Sequence, residues 1–132
     1  MRRTTEICVG LDNSPGTLGR LCTALRKAKV NVEAVSVCEN TECCWVRMVV
    51  TPTATAKRVL ARGKYHFCTQ AVLVVMAPHN VPGQLAGITS RLGKAGVNIQ
   101  YLYASNPPGE SLGSIVVIRV DDTSRALKAL RG

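Results

Sequence analysis

The chain speaks one phrase twice, and that repeat limits its fold more than any other feature. Asn13-Ser14-Pro15-Gly16 closes one apolar run, and Asn80-Val81-Pro82-Gly83 closes another, with Pro15 and Pro82 standing 67 residues apart. The same offset carries Asn31 onto Asn98. Each phrase lies between an alternating apolar stretch and a three-and-four apolar spacing, so each reads as a strand-to-helix turn. The chain is therefore two copies of one unit.

Such a turn favours an anion. Proline at the first helical position has its φ preset and lacks only an N–H that would be unpaired there. The glycine after it lets a ligand approach the backbone closely. The free N–H groups and the positive end of the helix dipole then suit a carboxylate or phosphate, with Asn13 or Asn80 offering side-chain donors and acceptors beside it. Pro-Gly also opens helices that bind nothing. The matched asparagines in both copies favour a ligand role.

In chain order, Ile7, Val9 and Leu11 alternate as in a half-buried strand over 6–11, and a helix follows from Pro15 with Leu18, Leu21, Cys22, Leu25 and Ala28 inward. A second strand over 33–39, a turn at Asn40-Thr41 and a third strand over 43–51 form a hairpin. Thr53 or Thr55 is placed to cap a short helix that Gly63 ends. The run from Lys64 to Ala77 is long for one strand, and we divide it near Thr69-Gln70. This gives repeats over residues 1–69 and 70–132. The second repeats the order from Pro82, with Leu85, Ile88, Leu92 and Ala95 inward, a Gly96 stop, a strand over 98–105, a longer loop at 106–110, a strand over 115–120 and a helix over 123–131. No closing strand follows. The fold class is α+β: two ferredoxin-like β-α-β-β-α-β units in tandem, antiparallel sheets with helices on one face, the second unit lacking its last strand.

Composition narrows the function. A hydrophobic content of 46% with 19% charged residues belongs to a folded globular chain. No apolar run approaches bilayer length, and Met1-Arg2-Arg3 leads into no hydrophobic signal core, so the expected location is the cytoplasm. Cys8, Cys22, Cys38 and Cys68 fall singly in apolar patterns and are expected as small buried hydrophobes. Cys43-Cys44 lacks metal-ligand spacing, so neither a metal nor a cofactor is expected. The net charge of +9 asks for an anionic partner. Its lysines and arginines, however, lie on outer helix faces and last turns, where solvation and the helix dipole account for them.

Strand, Asn-x-Pro-Gly-x-Leu, amphipathic helix, then Val30-Asn31-Val32 or Val97-Asn98-Ile99 and a hairpin: over nearly the whole chain this order resembles the ACT domain in its compact tandem form. The stretch from Ala95 to Ile99 with Tyr101-Leu102-Tyr103-Ala104 is the most typical. The resemblance implies a non-enzymatic regulator or sensor that binds a free amino acid or similar small carboxylate where two units meet. It assigns ligand contacts to Asp12, Asn13, Gly16, Thr17 and Asn31 in one unit and to His79, Asn80, Gly83, Gln84 and Asn98 in the other. Amides near Gly16 and Gly83 would hold the carboxylate, and Asn31 and Asn98 would bond polar ligand atoms. Asp12 answers an ammonium, but its counterpart is His79, so the two sites are not equivalent. A homodimer and a separate regulated protein are the expected protein partners.

Three other readings stay open. His66 and His79 invite catalysis, but no nucleophile or carboxylate stands at a motif spacing from either, and no catalytic residue is expected. A basic ferredoxin-like module could bind nucleic acid through phosphates, yet aromatic content is 4% and the strands offer no stacking platform, so nucleic acid is not the expected partner. The last reading is an oligomerisation unit that binds nothing.

Overall fold

The computed structural model describes residues 1–39, 43–77, 82–105 and 113–132. The order is β1 (Arg2–Asp12), α1 (Thr17–Lys27), β2 (Asn31–Glu39), β3 (Cys43–Thr51), α2 (Thr53–Arg62), β4 (His66–Ala77), α3 (Gln84–Lys94), β5 (Ile99–Ser105), β6 (Ser114–Val120) and α4 (Thr123–Arg131). The fold is α+β, with antiparallel strands. The turns expected at Asn40-Thr41 and 106–110 lie outside the described residues.

One compact unit is Thr5–Gln70. Its strands run in the order β2-β3-β1-β4, with Ile7 opposite Met48 and Val9 opposite Val46. These residues share one sheet face with Leu11 and Val50, and Leu21 and Leu25 of α1 and Ala56 and Leu60 of α2 close over it. Each of those four helical residues is buried. At about 1.5 to 3 kcal/mol for each fully buried large apolar side chain, this face holds the unit together.

The other unit is Ala71–Gly132 with Met1–Thr4. Leu73, Val116, Ile118 and Val120 form its sheet face, and Leu92 of α3 and Ala126 of α4 cover it. No strand follows α4 among the described residues. The flank of β4 is taken instead by the first residues of β1. The edge that the sequence leaves open is thus covered by the chain's own beginning.

Several local expectations need correction. The run after Lys64 is one strand from His66 to Ala77, not two. Thr69 and Gln70 carry no turn chemistry, and Gln70 Nε2 donates to Glu6 Oε1 at 3.0 Å across to β1. The residue before α2 is Pro52, with no side-chain cap; Thr53 already lies in the helix, and its hydroxyl donates to the Val50 carbonyl at 3.2 Å. Leu18 and Leu85 stand 67 residues apart, and both are exposed, at 37% and 44%, because the first helical turn is left uncovered in both repeats. Cys8 is buried as expected, but Cys22, Cys38 and Cys68 are exposed.

The repeat extends further into the backbone than the residues reveal. Register shifts fall between Val32 and Ala34 on β2 and between Ile99 and Tyr101 on β5. These are the same position in each copy, one bulge at Glu33 and one at Gln100. Three helices also end alike: Val30 N–H donates to Leu25 O, Tyr65 to Leu60 O and Val97 to Leu92 O, each about 2.9 to 3.0 Å. The left-handed residue of each ending is Lys29 (φ 59°), Lys64 (φ 56°) and Gly96 (φ 69°). Gly63 follows the last residue of α2 as expected of a stop, but with φ −75°; the left-handed turn falls one residue later, at Lys64.

Candidate functional site

The repeated turn departs from its expected geometry in one instructive respect. The helices begin at Thr17 and Gln84, so Pro15 and Pro82 precede the helix and do not open it. The residues that flank each helix start are Gly16 and Gly83, with φ of 86° and 87°. This region favours glycine because a Cβ meets the following carbonyl. Proline therefore shapes the turn, and glycine swings the chain into the helix.

Neither helix start has a side-chain cap or an acidic residue in its first turn. The positive end of the dipole is left without an internal carboxylate. In the Thr5–Gln70 unit the turn is tied by Ser14 N–H to Asp12 O at 2.9 Å. The Thr17 hydroxyl lies within donor distance of Asp12 O at 2.9 Å and Ser14 O at 3.0 Å. Strand end and helix start are thereby held as one piece.

Beside that piece lies a cleft of about 310 Å³ lined by Gly10, Leu11, Asp12, Thr17, Arg20, Gly63, Lys64, Tyr65 and His66. A second hollow of about 250 Å³ shares Gly10, Leu11, Asp12 and His66 and adds Trp45. Arg20 sits one helical turn after Gly16, and its guanidinium folds back until Nη1 stands 3.3 Å from the point where a Gly16 Cβ would lie. Lys64 and His66 arrive from the turn between α2 and β4. Tyr65 is wedged against Gly63, where an added Cβ would meet its ring at 2.6 Å. One carboxylate and two permanent cations thus share one small, open hollow. The arrangement suits a small ligand that carries both signs of charge.

The ten residues expected at ligand sites do not all converge. Asp12 and Thr17 line the cleft. Gly16 shapes it through Arg20, whereas Asn13 is exposed in the turn and is not among its lining. Asn31 is exposed at the start of β2, opposite Thr51, and also lies outside the lining. In the other unit Gly83 and Gln84 stand at the start of α3. Asn98 there is held by its backbone: its N–H donates to Asp121 Oδ1 at 3.0 Å and its carbonyl accepts from Asp121 N–H at 3.1 Å. His79 and Asn80 lie outside the described residues. Sequence reasoning placed Arg20 and Lys64 on a solvated face and missed their convergence. The one available signal was the spacing of Arg20 four residues after Gly16.

Among the described residues, no group of three or more His, Cys, Asp or Glu could hold a metal ion. Nor is any helix among them long and apolar enough to cross a membrane.

Two β-α-β-β-α sequences, each opening its first helix on a left-handed glycine, define a doubled ferredoxin-like module. The chain belongs to the ACT domain pair family, whose model matches residues 3–130. The ACT domain is a regulatory family and is not itself catalytic. No curated protein matches the chain. Among solved structures, a protein from Bacteroides thetaiotaomicron superposes with a TM-score of 0.89 at 26% identity, over 98% of this chain and 87% of that one. The ligand-free regulatory subunit of aspartate kinase from Thermus thermophilus gives 0.66 at 16% identity, over 99% and 96%. Aspartate kinase from Synechocystis gives 0.60 at 18% identity, over 98% of this chain and 24% of that one.

Proposed function

We propose that the chain is a ligand-sensing regulator that binds a free amino acid, or a similar small carboxylate, in the cleft at the end of β1. The observation that carries this reading is the meeting of Asp12 with Arg20 and Lys64 in one hollow. An α-ammonium pairs with Asp12. An α-carboxylate takes Arg20, whose planar fork suits two carboxylate oxygens, with Lys64 as a second charge. Thr17 lines the same cleft, and the uncapped start of α1 adds the positive end of its dipole. Asn13, Asn31, Asn80, Asn98, Gly83, Gln84 and His79 belong to the reading as residues of the same loops, with the second unit's site distinct in affinity. Its protein partners are a second copy of the chain and a separate regulated protein, in the cytoplasm. The uncovered edge of β2, where Val35 and Val37 are 51% and 48% exposed, is the seam for the second copy.

The test is a thermal-shift screen of the twenty amino acids, with nucleotides and a single-stranded RNA as controls at low and high salt. Ligand at a hundred times its dissociation constant adds about 2.7 kcal/mol of stability. One amino acid should raise the melting temperature, and Arg20→Ala should weaken it by roughly 1.5 to 3 kcal/mol, the worth of a hydrogen bond to a charged group. Silence from every amino acid, with a salt-sensitive response to RNA, would overturn the proposal in favour of phosphate binding.

A further inference from the structure

Two cysteines far apart in sequence meet on the sheet of the Thr5–Gln70 unit, on the face away from the helices. Their placement follows from the pairs on either side. Gln70 Nε2 bonds Glu6 Oε1 at 3.0 Å, and the point where a Gly10 Cβ would lie is 3.8 Å from His66 O. β1 and β4 run antiparallel, so Cys8, midway between Glu6 and Gly10, faces Cys68, midway between Gln70 and His66. Directly opposed residues of such a pair have Cα atoms about 4.5 to 5.5 Å apart, within the range that a disulfide spans. Cys8 is 7% exposed, whereas Cys68 is open to solvent. Burial pushes the Cys8 thiol up, and Cys68 beside it pushes it further, through its charge and a side-chain hydrogen bond. The nearby Arg47 guanidinium acts in the opposite sense.

We propose that Cys8 and Cys68 are a reversible oxidation site that closes to an intramolecular disulfide under peroxide. The roles divide by exposure, since the thiolate that peroxide can reach is the one that reacts first. Cys68 sulfur attacks a peroxide oxygen, the O–O bond breaks, and the departing hydroxide takes a proton to leave as water. Cys68 is then a sulfenic acid. Cys8 loses its proton and attacks the Cys68 sulfur; the S–S bond forms, the S–O bond breaks, and a second water leaves. Two thiols and one hydrogen peroxide thus give one disulfide and two waters. The buried thiol suits the second step, because it is held against its target and shielded from peroxide.

The register disfavours a bond between Cys8 and Cys38. Cys38 faces Trp45, and Cys8 faces Arg47, so β3 stands between β2 and β1. Two strand spacings, about 9.5 Å, separate Cys38 from Cys8. Oxidation therefore ties β1 to β4 close to Gly10 and His66, which line the cleft. The proposal itself needs no ligand there.

The experiment is hydrogen peroxide treatment of the full chain at neutral pH, then alkylation of remaining thiols and non-reducing peptide mass spectrometry. The expected result is a Cys8–Cys68 linked peptide, loss of two free thiols, reversal by dithiothreitol and a higher melting temperature, since the bond closes a loop of about 60 residues. Cys68→Ser should abolish the linked peptide, while Cys22→Ser should leave it. A disulfide joining other cysteines, a Cys68–Cys68 dimer between chains, or Cys68 carried to sulfinic acid with Cys8 still free would each overturn the proposal. The wild-type peptide map decides the matter even if the Cys8→Ser chain fails to fold.

Discussion

Replacing Gly83 and Gly87 by alanine, one at a time, separates backbone conformation from space. An added Cβ meets nothing within 4 Å at either site, so no clash distinguishes them. Gly83 has φ 87° before the first residue of α3, whereas Gly87 lies inside the helix. An L-residue at the first site bears the left-handed strain of about 1 to 2 kcal/mol. The entropy that alanine removes from the unfolded chain, about 0.4 to 1 kcal/mol, offsets part of it. Gly83→Ala should therefore destabilise by roughly 1 kcal/mol. Gly87→Ala should stabilise by about 0.5 to 1 kcal/mol, because alanine is the better helix former. The same methyl group, four residues apart, thus changes sign. Urea unfolding followed by circular dichroism reads the two midpoints, and an unchanged slope assures that only stability moved. If Gly83→Ala matches or exceeds the wild type, the turn does not require a left-handed glycine. The physical account of the repeated phrase then fails.

The remaining expectations concern the cleft and the termini of its elements. Lys29→Gly and Lys64→Gly should each stabilise by up to about 1 kcal/mol through relief of the left-handed strain at the helix ends, measured by the same urea titration. Only Lys64→Gly should weaken ligand binding by calorimetry, since Lys64 lines the cleft and Lys29 does not; equal losses would remove Lys64 from the site. Asp12→Asn should cut affinity for an amino acid roughly ten- to hundredfold but leave that for its des-amino acid nearly unchanged, because a charge-assisted contact is worth about 1.5 to 3 kcal/mol only when the ammonium is present. Stability should fall as pH rises past 9.0, the ordinary value of the Cys8 thiol. The folded state holds that proton more tightly than the unfolded chain does, so its contribution is complete below this pH and is lost as pH climbs through the raised value. Cys8→Ala should flatten that decline in unfolding midpoints taken at about pH 8 and 10, and an identical slope would refute the assignment.

The repeated phrase, the order of elements and the family were legible in the sequence because each rests on short-range pattern. Alternation and three-and-four spacing are properties of neighbouring residues, and a second copy at a fixed offset tests the first. The left-handed glycines were half visible: Gly16 and Gly83 stood out, but proline was credited with opening the helix. Asp12 and Thr17 were legible as cleft residues because they flank the turn itself. Arg20 was only one helical turn away, yet its basic side chain looked the same as every other solvated arginine. Lys64 and His66 could not be found by pattern, since they come to Asp12 only when β4 lies beside β1.

The sequence by itself determined that two similar α+β units exist, where their first helices begin to within two residues, and which apolar faces form their cores. The tertiary structure decided that β4 runs unbroken from His66 to Ala77 and that Met1–Thr4 belong to the unit of the distant C-terminal residues. It also decided that Asp12, Arg20 and Lys64 share a hollow and that Cys8 faces Cys68. The physical reason is the same for all four. Periodicity records which face of an element is buried, whereas strand pairing over long sequence separations selects which elements meet, and that choice leaves no local trace.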